Sequence, residues 1–276
     1  MHELWDELCR RAGLALSHDQ EDLLSRYIDL LLDVNQRMNL TRIDTRQNAE
    51  VLHVGDALTL LPHLRAGQLQ LADVGSGGGI PGIPLAIVRP EISVTLFEST
   101  QKKASFLDDA VKQLGLRNIT VIAKRAEDFA RPDSLSPYSG RGQGRGPGSR
   151  RATSNRKEPS PQPSPGIPGE GAVASMRESF DVVTARALAE MSVLLEWCLP
   201  LVKIGGKLLA MKGAKIADEL PRAARAIKLL GGREPRVHRV DLPGADYHVI
   251  VEVTKIAKTP AQYPRATDTI RKKPLE

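Results

Sequence analysis

Apolar residues after Ser17 recur at three- and four-residue spacing, which predicts a helix that buries one stripe of side chains. The stripe consists of Leu23, Tyr27, Leu30, Leu31, Val34 and Met38. Gln20 completes a capping-box pattern with Ser17 at the start of this helix. Asn39 interrupts the pattern, and a shorter helical stretch follows over residues 51–64. We therefore expect residues 1–65 to form a helical cap ahead of the first strand.

From Leu69 onward, strand patterns alternate with helix patterns, which predicts βαβ units around a parallel sheet. The predicted strands are residues 69–74, 93–98, 119–123, 180–185 and 207–211. Two more strand patterns, residues 235–240 and 246–253, flank Pro243 and Gly244 and predict an antiparallel hairpin. The expected fold of residues 66–254 is α/β, a doubly wound and mostly parallel sheet with an antiparallel terminal strand.

Residues 130–179 interrupt this alternation. They contain 8 of the 19 prolines and 8 of the 23 glycines, a composition that does not form a packed core. We expect a low-complexity, disordered insertion here. An Arg/Gly-rich run within it, residues 141–151, is also compatible with RNA binding, although sporadic insertion of low-complexity sequence is the favoured explanation.

The net charge of +6 suggests a nucleic-acid partner, because lysine and arginine bind phosphate groups. The insertion supplies four of these charges, so the argument rests on local clusters elsewhere. The best cluster is the C-terminal segment, residues 255–276, which predicts either RNA contacts or a solvated basic tail. Its cations are Lys255, Lys258, Arg265, Arg271, Lys272 and Lys273.

The N-terminal residues lack the pattern of a secretory signal, and no apolar stretch has the length of a membrane span, which favours a cytoplasmic protein. The two cysteines, Cys9 and Cys198, lie far apart without CxxC or Cys/His spacing. This argues against a disulfide framework or a zinc site, so no metal is expected. Both cysteines are expected to be buried thiols.

The segment with the clearest chemistry is DVGSGGGIPG, residues 73–82. An acid that ends a strand and is followed by glycines predicts a tight turn where a ligand approaches the backbone at a helix start. Gly77, Gly79 and Gly82 spell GxGxxG, and Glu98 ends the next strand 21 residues after Gly77. This spacing fits a nicotinamide dinucleotide as well as S-adenosylmethionine.

Charge separates these two cofactors better than spacing does. A dinucleotide would place its pyrophosphate close to the carboxylate of Asp73, whereas S-adenosylmethionine brings an ammonium and a sulfonium. Glu98 is expected to accept hydrogen bonds from ribose hydroxyls. Asp73, Gly75, Gly77 and Glu98 are therefore candidate cofactor-binding residues, and a helix N-cap is the alternative role for Asp73.

Two further candidates follow later strands and fall at the same edge of the sheet. Glu127, in the motif RAED, follows the third strand, on the side where an adenine would lie. Arg186, in the motif TARA, ends the fourth strand and is placed to reach a cofactor carboxylate or an RNA phosphate. A surface carboxylate and a surface salt bridge are the alternative roles for these two residues.

Two absences narrow the choice of methyl acceptor. No Asn/Asp-Pro-Pro-aromatic motif follows the fourth strand to hold an exocyclic nitrogen, and no cysteine lies there to attack a pyrimidine ring carbon. Both of these acceptor classes are therefore disfavoured. Guanine N7 carries a free lone pair, so its methylation requires alignment and exclusion of water but no general base. The sequence fits this acceptor and other good nucleophiles, and no catalytic residue is assigned.

The order of the motifs resembles that of a known family. The chain resembles the bacterial small-subunit ribosomal RNA guanine-N7 methyltransferases, also called glucose-inhibited division protein B. The motifs that carry the resemblance are DVGSGGGIPGIPLAIVRPE, NLT at residues 39–41, H-x-x-D at His53 and Asp56, RAED, TARA, KG at Lys212 and the tail KTPAQYPR. The resemblance covers nearly the whole chain except residues 130–179. It implies a class I methyltransferase (Rossmann-like) fold, S-adenosylmethionine as cofactor, and 16S ribosomal RNA or the small ribosomal subunit as partner.

Carried over residue by residue, the family's cofactor contacts fall on Gly75, Ile80, Ala126, Glu127 and Arg186. His53 and Asp56 match polar positions near the family's cleft, while Arg125 and the basic tail are candidates for RNA contacts. Glu98 stands where the family usually has an aspartate. The insertion follows directly after the RAED motif, next to the expected adenine site.

The predicted function is transfer of a methyl group from S-adenosylmethionine to guanine N7 in 16S ribosomal RNA, by a protein expected to be a monomer. A nicotinamide-dependent oxidoreductase that uses the same loop is one alternative. A non-catalytic RNA-binding protein on the same fold is the other.

Overall fold

The computed structural model describes residues 2–132 and 175–276, and seven strands within them form one sheet in the order β3-β2-β1-β4-β5-β7-β6. The strands are β1 (Gln70–Val74), β2 (Ser93–Phe97), β3 (Ile119–Ile122), β4 (Phe180–Arg186), β5 (Val202–Lys212), β6 (Arg236–Arg239) and β7 (Val249–Thr254). Neighbouring strands from β3 through β5 are parallel, and β7 is antiparallel to both β5 and β6. This confirms the predicted fold class, with the antiparallel strand lying inside the sheet.

Helices cover both faces of this sheet. The first face carries α1 (His2–Arg11), α2 (His18–Met38), α3 (Arg46–Ala49), α4 (Asp56–Leu58), α5 (Gly82–Val88) and α6 (Gln101–Leu114). The second carries α7 (Ala126–Phe129), α8 (Met191–Cys198), α9 (Ile216–Leu229) and α10 (Thr267–Lys272). A π-helical turn, Glu50–Gly55, joins α3 to α4, and 3₁₀ turns lie at Leu61–His63 and Leu199–Leu201.

The helical cap centres on α2, which begins at the predicted capping box. The Ser17 hydroxyl accepts from the Gln20 N–H at 3.3 Å, and the Gln20 side chain accepts from the Ser17 N–H at 3.0 Å. The stripe that is fully buried differs in part from the predicted one, because α2 packs against both α5 and α6. It consists of Leu24, Tyr27, Ile28 and Leu31.

One bond from α2 joins the cap to the turn that follows β1. The Tyr27 hydroxyl donates to the Gly78 carbonyl at 2.8 Å, and both groups are buried. A buried phenol that lacked such a partner would carry the free-energy cost of an unmade hydrogen bond. The cap therefore fixes the position of the glycine-rich turn.

The flanks of the insertion meet in the structure. The Met176 N–H donates to the Phe129 carbonyl at 2.8 Å, and the Ser175 hydroxyl donates to the Arg131 carbonyl at 3.0 Å. The disorder predicted for residues 130–179 falls almost wholly on residues 133–174, outside the described ranges. The described flanks themselves are tied to each other.

The C-terminal segment packs on the core. Lys255 is fully buried and donates to the Leu199 carbonyl at 2.7 Å, while Arg265 forms a two-pronged ion pair with the fully buried Glu196. Ile270 of α10 is also buried. Part of the predicted basic tail is thus structural, and its exposed cations are Lys258, Arg271, Lys272 and Lys273.

Cys9 and Cys198 are buried free thiols, as predicted. Across residues 2–132 and 175–276, no helix is both long enough and apolar enough to cross a membrane.

Candidate functional site

A cavity of about 920 Å³ opens at the edge of the sheet where β1, β2, β4 and β5 end. Its volume lies near the upper end of the range for small-molecule sites, roughly 300–1,000 Å³. Because β7 runs antiparallel, the residue before it also lies at this edge, beside the end of β5. The residues that bring polar groups to the cavity include Thr41, His53, Glu98, Arg186, Lys212 and His248.

The glycine-rich turn after β1 forms part of the cavity wall. Gly75, Gly77 and Gly79 have φ angles of +72°, +56° and +96°, which side-chain-bearing residues rarely adopt. Several backbone N–H groups of the turn donate to acceptors of the protein itself, and two of them bond to the Phe97 carbonyl at 2.9 and 3.1 Å. The paired donors are those of Gly75, Ser76, Gly77, Gly79 and Ile80. The turn therefore presents few N–H donors to an anion.

Glu98 borders the cavity next to this turn and is 6% exposed. Its Oε2 accepts from the Gly77 N–H at 3.0 Å, and its Oε1 accepts from the Thr100 N–H at 2.7 Å. These two bonds fix the carboxylate without using all of its lone pairs. The cavity thus has a fixed hydrogen-bond acceptor beside the glycines.

Asp73 lies beneath the turn and does not line the cavity. Its carboxylate accepts from the Gly82 N–H at 3.2 Å, at the start of α5, and from the Thr184 hydroxyl at 3.2 Å. Burial raises the pKa of Asp73 to about 7. The sequence argument that this carboxylate faces a cationic ligand does not hold in this geometry, because the carboxylate is fully buried and bonds to Gly82 and Thr184. Asp73 supports the turn by accepting from the first N–H of α5, whose N-cap residue is Pro81 and not Asp73.

The remaining candidates divide into two groups. Ile80 lines the cavity, whereas Ala126 and Glu127 are buried at the start of α7, after β3, and do not line it. Glu127 accepts from the Thr267 hydroxyl at 2.7 Å, and Arg125 lies 3.7 Å from the same oxygen. The structure therefore brings Gly75, Gly77, Ile80, Glu98 and Arg186 together at the cavity, with Asp73, Ala126 and Glu127 outside its lining.

Arg186 is held by three groups of the helical cap. Its Nε donates to Asp56 Oδ2 at 2.9 Å, and its NH2 group donates to the Leu52 carbonyl at 2.7 Å. Its NH1 group lies 3.4 Å from His53 Nδ1. The guanidinium is thus fixed at the cavity with N–H donors to spare.

His53 connects this arginine to the NLT motif. Since Arg186 only donates, His53 Nδ1 accepts, and the ring proton lies on Nε2, 3.0 Å from the Thr41 hydroxyl. Burial, with the nearby Arg186 charge, lowers the pKa of His53 to about 4. His53 is therefore a neutral, packed histidine, and the motifs NLT, H-x-x-D and TARA form one hydrogen-bonded network.

Sequence reasoning missed His248. Its Nδ1 lies 3.2 Å from Asp56 Oδ1, so it belongs to the same network. The signal that could have identified it is topological. The predicted final strand is antiparallel, so the residue preceding that strand must lie at the edge where the parallel strands end.

The described residues contain one group of potential metal ligands, and none of its members lines the cavity: His63, His238 and Glu252. Lys207 Nζ lies 3.3 Å from Glu252 Oε2, and Arg236 pairs with Glu252 in the β6–β7 register. The ammonium of Lys207 thus already borders this carboxylate, which opposes binding of a further cation. We assign no metal to this group.

The rRNA small subunit methyltransferase G family model matches residues 20–141 and 170–248. The ribosomal RNA small subunit methyltransferase G of Lactobacillus johnsonii is 36% identical over 99% of this chain and 99% of its own. The protein of the same name from Roseiflexus castenholzii is 38% identical over 98% and 99%. A solved SAM-dependent methyltransferase from Aquifex aeolicus aligns with 79% of this chain and 97% of its own, at a TM-score of 0.49 and 13% identity. From the family match and the near full-length relatives, the chain belongs to the rRNA small subunit methyltransferase G family.

Proposed function

We propose that this chain transfers a methyl group from S-adenosylmethionine to N7 of a guanine in 16S ribosomal RNA. The names of its relatives support the reaction class and the RNA substrate. The observation in the molecule that carries the proposal is the glycine-rich turn. Its N–H groups are largely paired within the protein, and the carboxylate of Glu98 stands beside it.

S-adenosylmethionine supplies, when bound, an electrophilic methyl group on a cationic sulfur. The residues of the cavity fit this molecule. Glu98 has lone pairs available for ribose hydroxyls, and Arg186 has guanidinium N–H groups available for the amino-acid carboxylate. A nicotinamide dinucleotide fits less well, because its pyrophosphate requires free backbone N–H donors at the turn.

The other candidate residues take supporting positions in this proposal. Gly75, Gly77 and Ile80 form the wall of the cofactor site, and Asp73 fixes the turn from below. Ala126 and Glu127 form the adenine side, where the bond from Thr267 orients the Glu127 carboxylate.

Guanine N7 has an in-plane lone pair and loses no proton on methylation, so the chain is not required to supply a general base. Its residues orient the two substrates and exclude water. We accordingly assign no acid or base catalyst and propose that the protein acts as a monomer without a metal ion.

Contacts with the RNA backbone are proposed for exposed cations around the cavity and on the C-terminal segment. Arg42 lines the cavity and is exposed, and the Arg125 side chain is 44% exposed. The tail contributes Lys258, Arg271, Lys272 and Lys273. We propose a division into a helical cap (1–65), a methyltransferase domain (66–254) with the insertion at 130–179, and a C-terminal segment (255–276).

Two measurements test the function. Isothermal titration calorimetry is expected to detect binding of S-adenosylmethionine but not of NAD; binding of NAD alone would support the oxidoreductase alternative. Mapping of N7-methylguanine in 16S ribosomal RNA is expected to show one site that disappears when the gene is deleted and returns on complementation. Unchanged methylation after deletion would favour the non-catalytic RNA-binding protein.

A further inference from the structure

His248 lies at the cavity between the sheet and the helical cap. It precedes β7, lines the cavity, and its side chain is 36% exposed. The neighbouring Tyr247 is 72% exposed, so the chain at this point faces the solvent from which an RNA would approach. An imidazole at this position can contact a base that enters the cavity.

The orientation of the imidazole is fixed by a carboxylate with two partners. Asp56 is 1% exposed and accepts from Arg186 Nε on Oδ2. Its Oδ1 lies 3.2 Å from His248 Nδ1. Because a carboxylate paired with arginine only accepts, the Nδ1 atom of His248 carries a proton. The Nε2 atom lies on the far side of the ring and makes no hydrogen bond within the described residues.

The charge of His248 is set by the same neighbours. The hydrogen bond and charge of Asp56 raise the pKa of His248 above its usual value, against burial and the more distant Arg186 charge. His53, on the other side of Arg186, is neutral, and Lys212 at the end of β5 is paired with Glu219 at 2.6 Å. The hydrogen bond to the buried carboxylate of Asp56 favours the protonated form of the imidazole, and in that form Nε2 is an N–H donor.

A guanine presents two acceptors side by side on its Hoogsteen edge, N7 and O6, whereas adenine presents an amino group in place of O6. In the proposed reaction N7 faces the methyl donor, so O6 is the adjacent atom that remains for recognition. A hydrogen-bond donor placed beside N7 therefore favours guanine, which has the O6 acceptor there, over adenine, which has an amino group.

We propose that His248 is a specificity-determining residue that donates a hydrogen bond from Nε2 to O6 of the target guanine. This inference rests on the proposed function, because it names a contact within that reaction. A hydrogen bond from Nε2 to an RNA phosphate would use the same donor, and the experiment separates the two contacts.

The test uses small-subunit particles reconstituted with 16S RNA whose mapped target nucleotide is replaced. Inosine keeps both O6 and N7, and 2-aminopurine keeps N7 but lacks O6. We expect the unmodified protein to methylate the inosine substrate with a kcat/KM about 10- to 100-fold higher than the 2-aminopurine substrate, the effect of one charge-assisted hydrogen bond. His248→Ala is expected to methylate both substrates at similar, low rates.

Three controls accompany this comparison. His238→Ala, a half-buried histidine of β6 outside the cavity lining, should keep the full preference for inosine. His248→Gln, which retains an N–H donor, should restore part of the preference. Calorimetry should give an unchanged S-adenosylmethionine affinity for His248→Ala, and thermal melting should show a folded protein.

A pH profile gives an independent readout. For the inosine substrate, kcat/KM should fall as rising pH removes the Nε2 proton, and His248→Ala should lack this decrease. A His248→Ala protein that keeps the preference for inosine would overturn the proposal. An equal loss on both substrates would instead indicate a phosphate contact and would also overturn it. Failure of the unmodified protein to methylate any particle would count against the proposed function itself.

Discussion

Gly75 combines a left-handed backbone with a close neighbour. Its φ is +72°, and a Cβ atom built there would lie 2.4 Å from Leu188 Cδ1. Since Leu188 lines the cavity, Gly75→Ala must displace a part of the cavity wall. We expect S-adenosylmethionine affinity to fall by about tenfold or more, because displacements of about 1 Å in a site have effects of this size. Isothermal titration calorimetry measures the change.

Gly13→Ala is the matched control for Gly75→Ala. Gly13 has the same φ of +72°, but a Cβ atom there meets nothing within 4 Å. Its substitution should lower the free energy of unfolding by about 1 kcal/mol through backbone strain alone and leave ligand affinity unchanged. Truncation of the neighbour in a Gly75→Ala/Leu188→Ala protein should recover part of the affinity. No recovery would show that displacement of Leu188 is not the cause.

His53 gives the protein a defined dependence of stability on pH. Its pKa is lowered to about 4 in the folded protein and is about 6.5 when unfolded. The unfolded chain therefore binds a proton first as pH falls below 6.5, which favours unfolding. Between pH 7 and pH 5 this amounts to about 2 kcal/mol. Urea unfolding of His53→Gln should show a decrease with acidification that is smaller by this amount.

The comparison with the unmodified protein isolates this histidine from other groups that titrate in the same range. Asp73, with its raised pKa of about 7, acts in the opposite direction there and is common to both proteins. His18→Gln serves as the control, because the His18 side chain is 99% exposed. A His53→Gln protein with the original pH dependence would contradict the buried neutral histidine.

At the scale of elements, a buried ion pair joins α8 to the C-terminal segment on one face of the sheet. Arg265 donates to Glu196 from Nε at 2.9 Å and from NH2 at 2.7 Å, and the Glu196 side chain is fully buried. Arg265→Ala would leave this carboxylate without its partner, which destabilises by about 3–5 kcal/mol. Urea unfolding should show this loss, and the exposed Lys258→Ala should show almost none.

Replacement of the carboxylate tests the cause of that loss. Adding Glu196→Gln to Arg265→Ala removes the unpaired charge and should recover part of the stability. If the single Arg265→Ala substitution changed stability by less than about 1 kcal/mol, the pair would behave as a surface salt bridge and the tail would not be anchored by it.

The elements of the sheet could be predicted from the sequence because their signals are local. Strand periodicity, the capping box at Ser17 and the turn near Gly244 each depend on a few neighbouring residues. The buried stripe of α2 was partly wrong, because packing against α5 and α6 together sets its width. The π-helical turn Glu50–Gly55, which carries His53, has no such local signal.

The candidate site was predictable in part for the same reason. Gly75, Gly77, Glu98 and Arg186 follow strands whose ends meet at one edge, so a topology predicted from the pattern places them together. The direction of the Asp73 side chain depends on its bonds to the turn and to β4, and the pairing of His248 with Asp56 joins residues 192 positions apart. Neither the direction of the Asp73 side chain nor the pairing of His248 with Asp56 could be predicted from spacing along the chain.

At the scale of the whole molecule, the cavity depends on contacts between the helical cap and the sheet. Tyr27 bonds to the glycine-rich turn, and the Thr41–His53–Arg186–Asp56 network joins the cap to β4. The residues that make these bonds either precede the insertion or lie at the end of β4. None of these bonds involves residues 133–174, so we expect the cavity wall to persist when these residues are removed.

The flanks of the insertion define where a deletion can be made. Arg177 donates to the Ala130 and Tyr263 carbonyls, both at 2.7 Å, and Glu178 accepts from the Thr259 N–H at 3.1 Å. Removal of residues 133–174 with a two-glycine joint keeps these bonds. We expect it to retain S-adenosylmethionine affinity and ribosomal RNA methylation within about threefold, because closing so short a loop costs little.

A longer deletion, residues 132–178, provides the matched comparison. It removes Arg177 and Glu178 and leaves the buried Lys255 without the carboxylate 3.7 Å away, so the C-terminal segment loses its attachment to the end of α7. We expect a melting temperature lower by several degrees, as a loss of 1–2 kcal/mol produces in a protein of this size. Equal stability of the two deletions would show that the Arg177 contacts do not hold the segment. Loss of activity in the shorter, folded deletion would show that residues 133–174 take part in function.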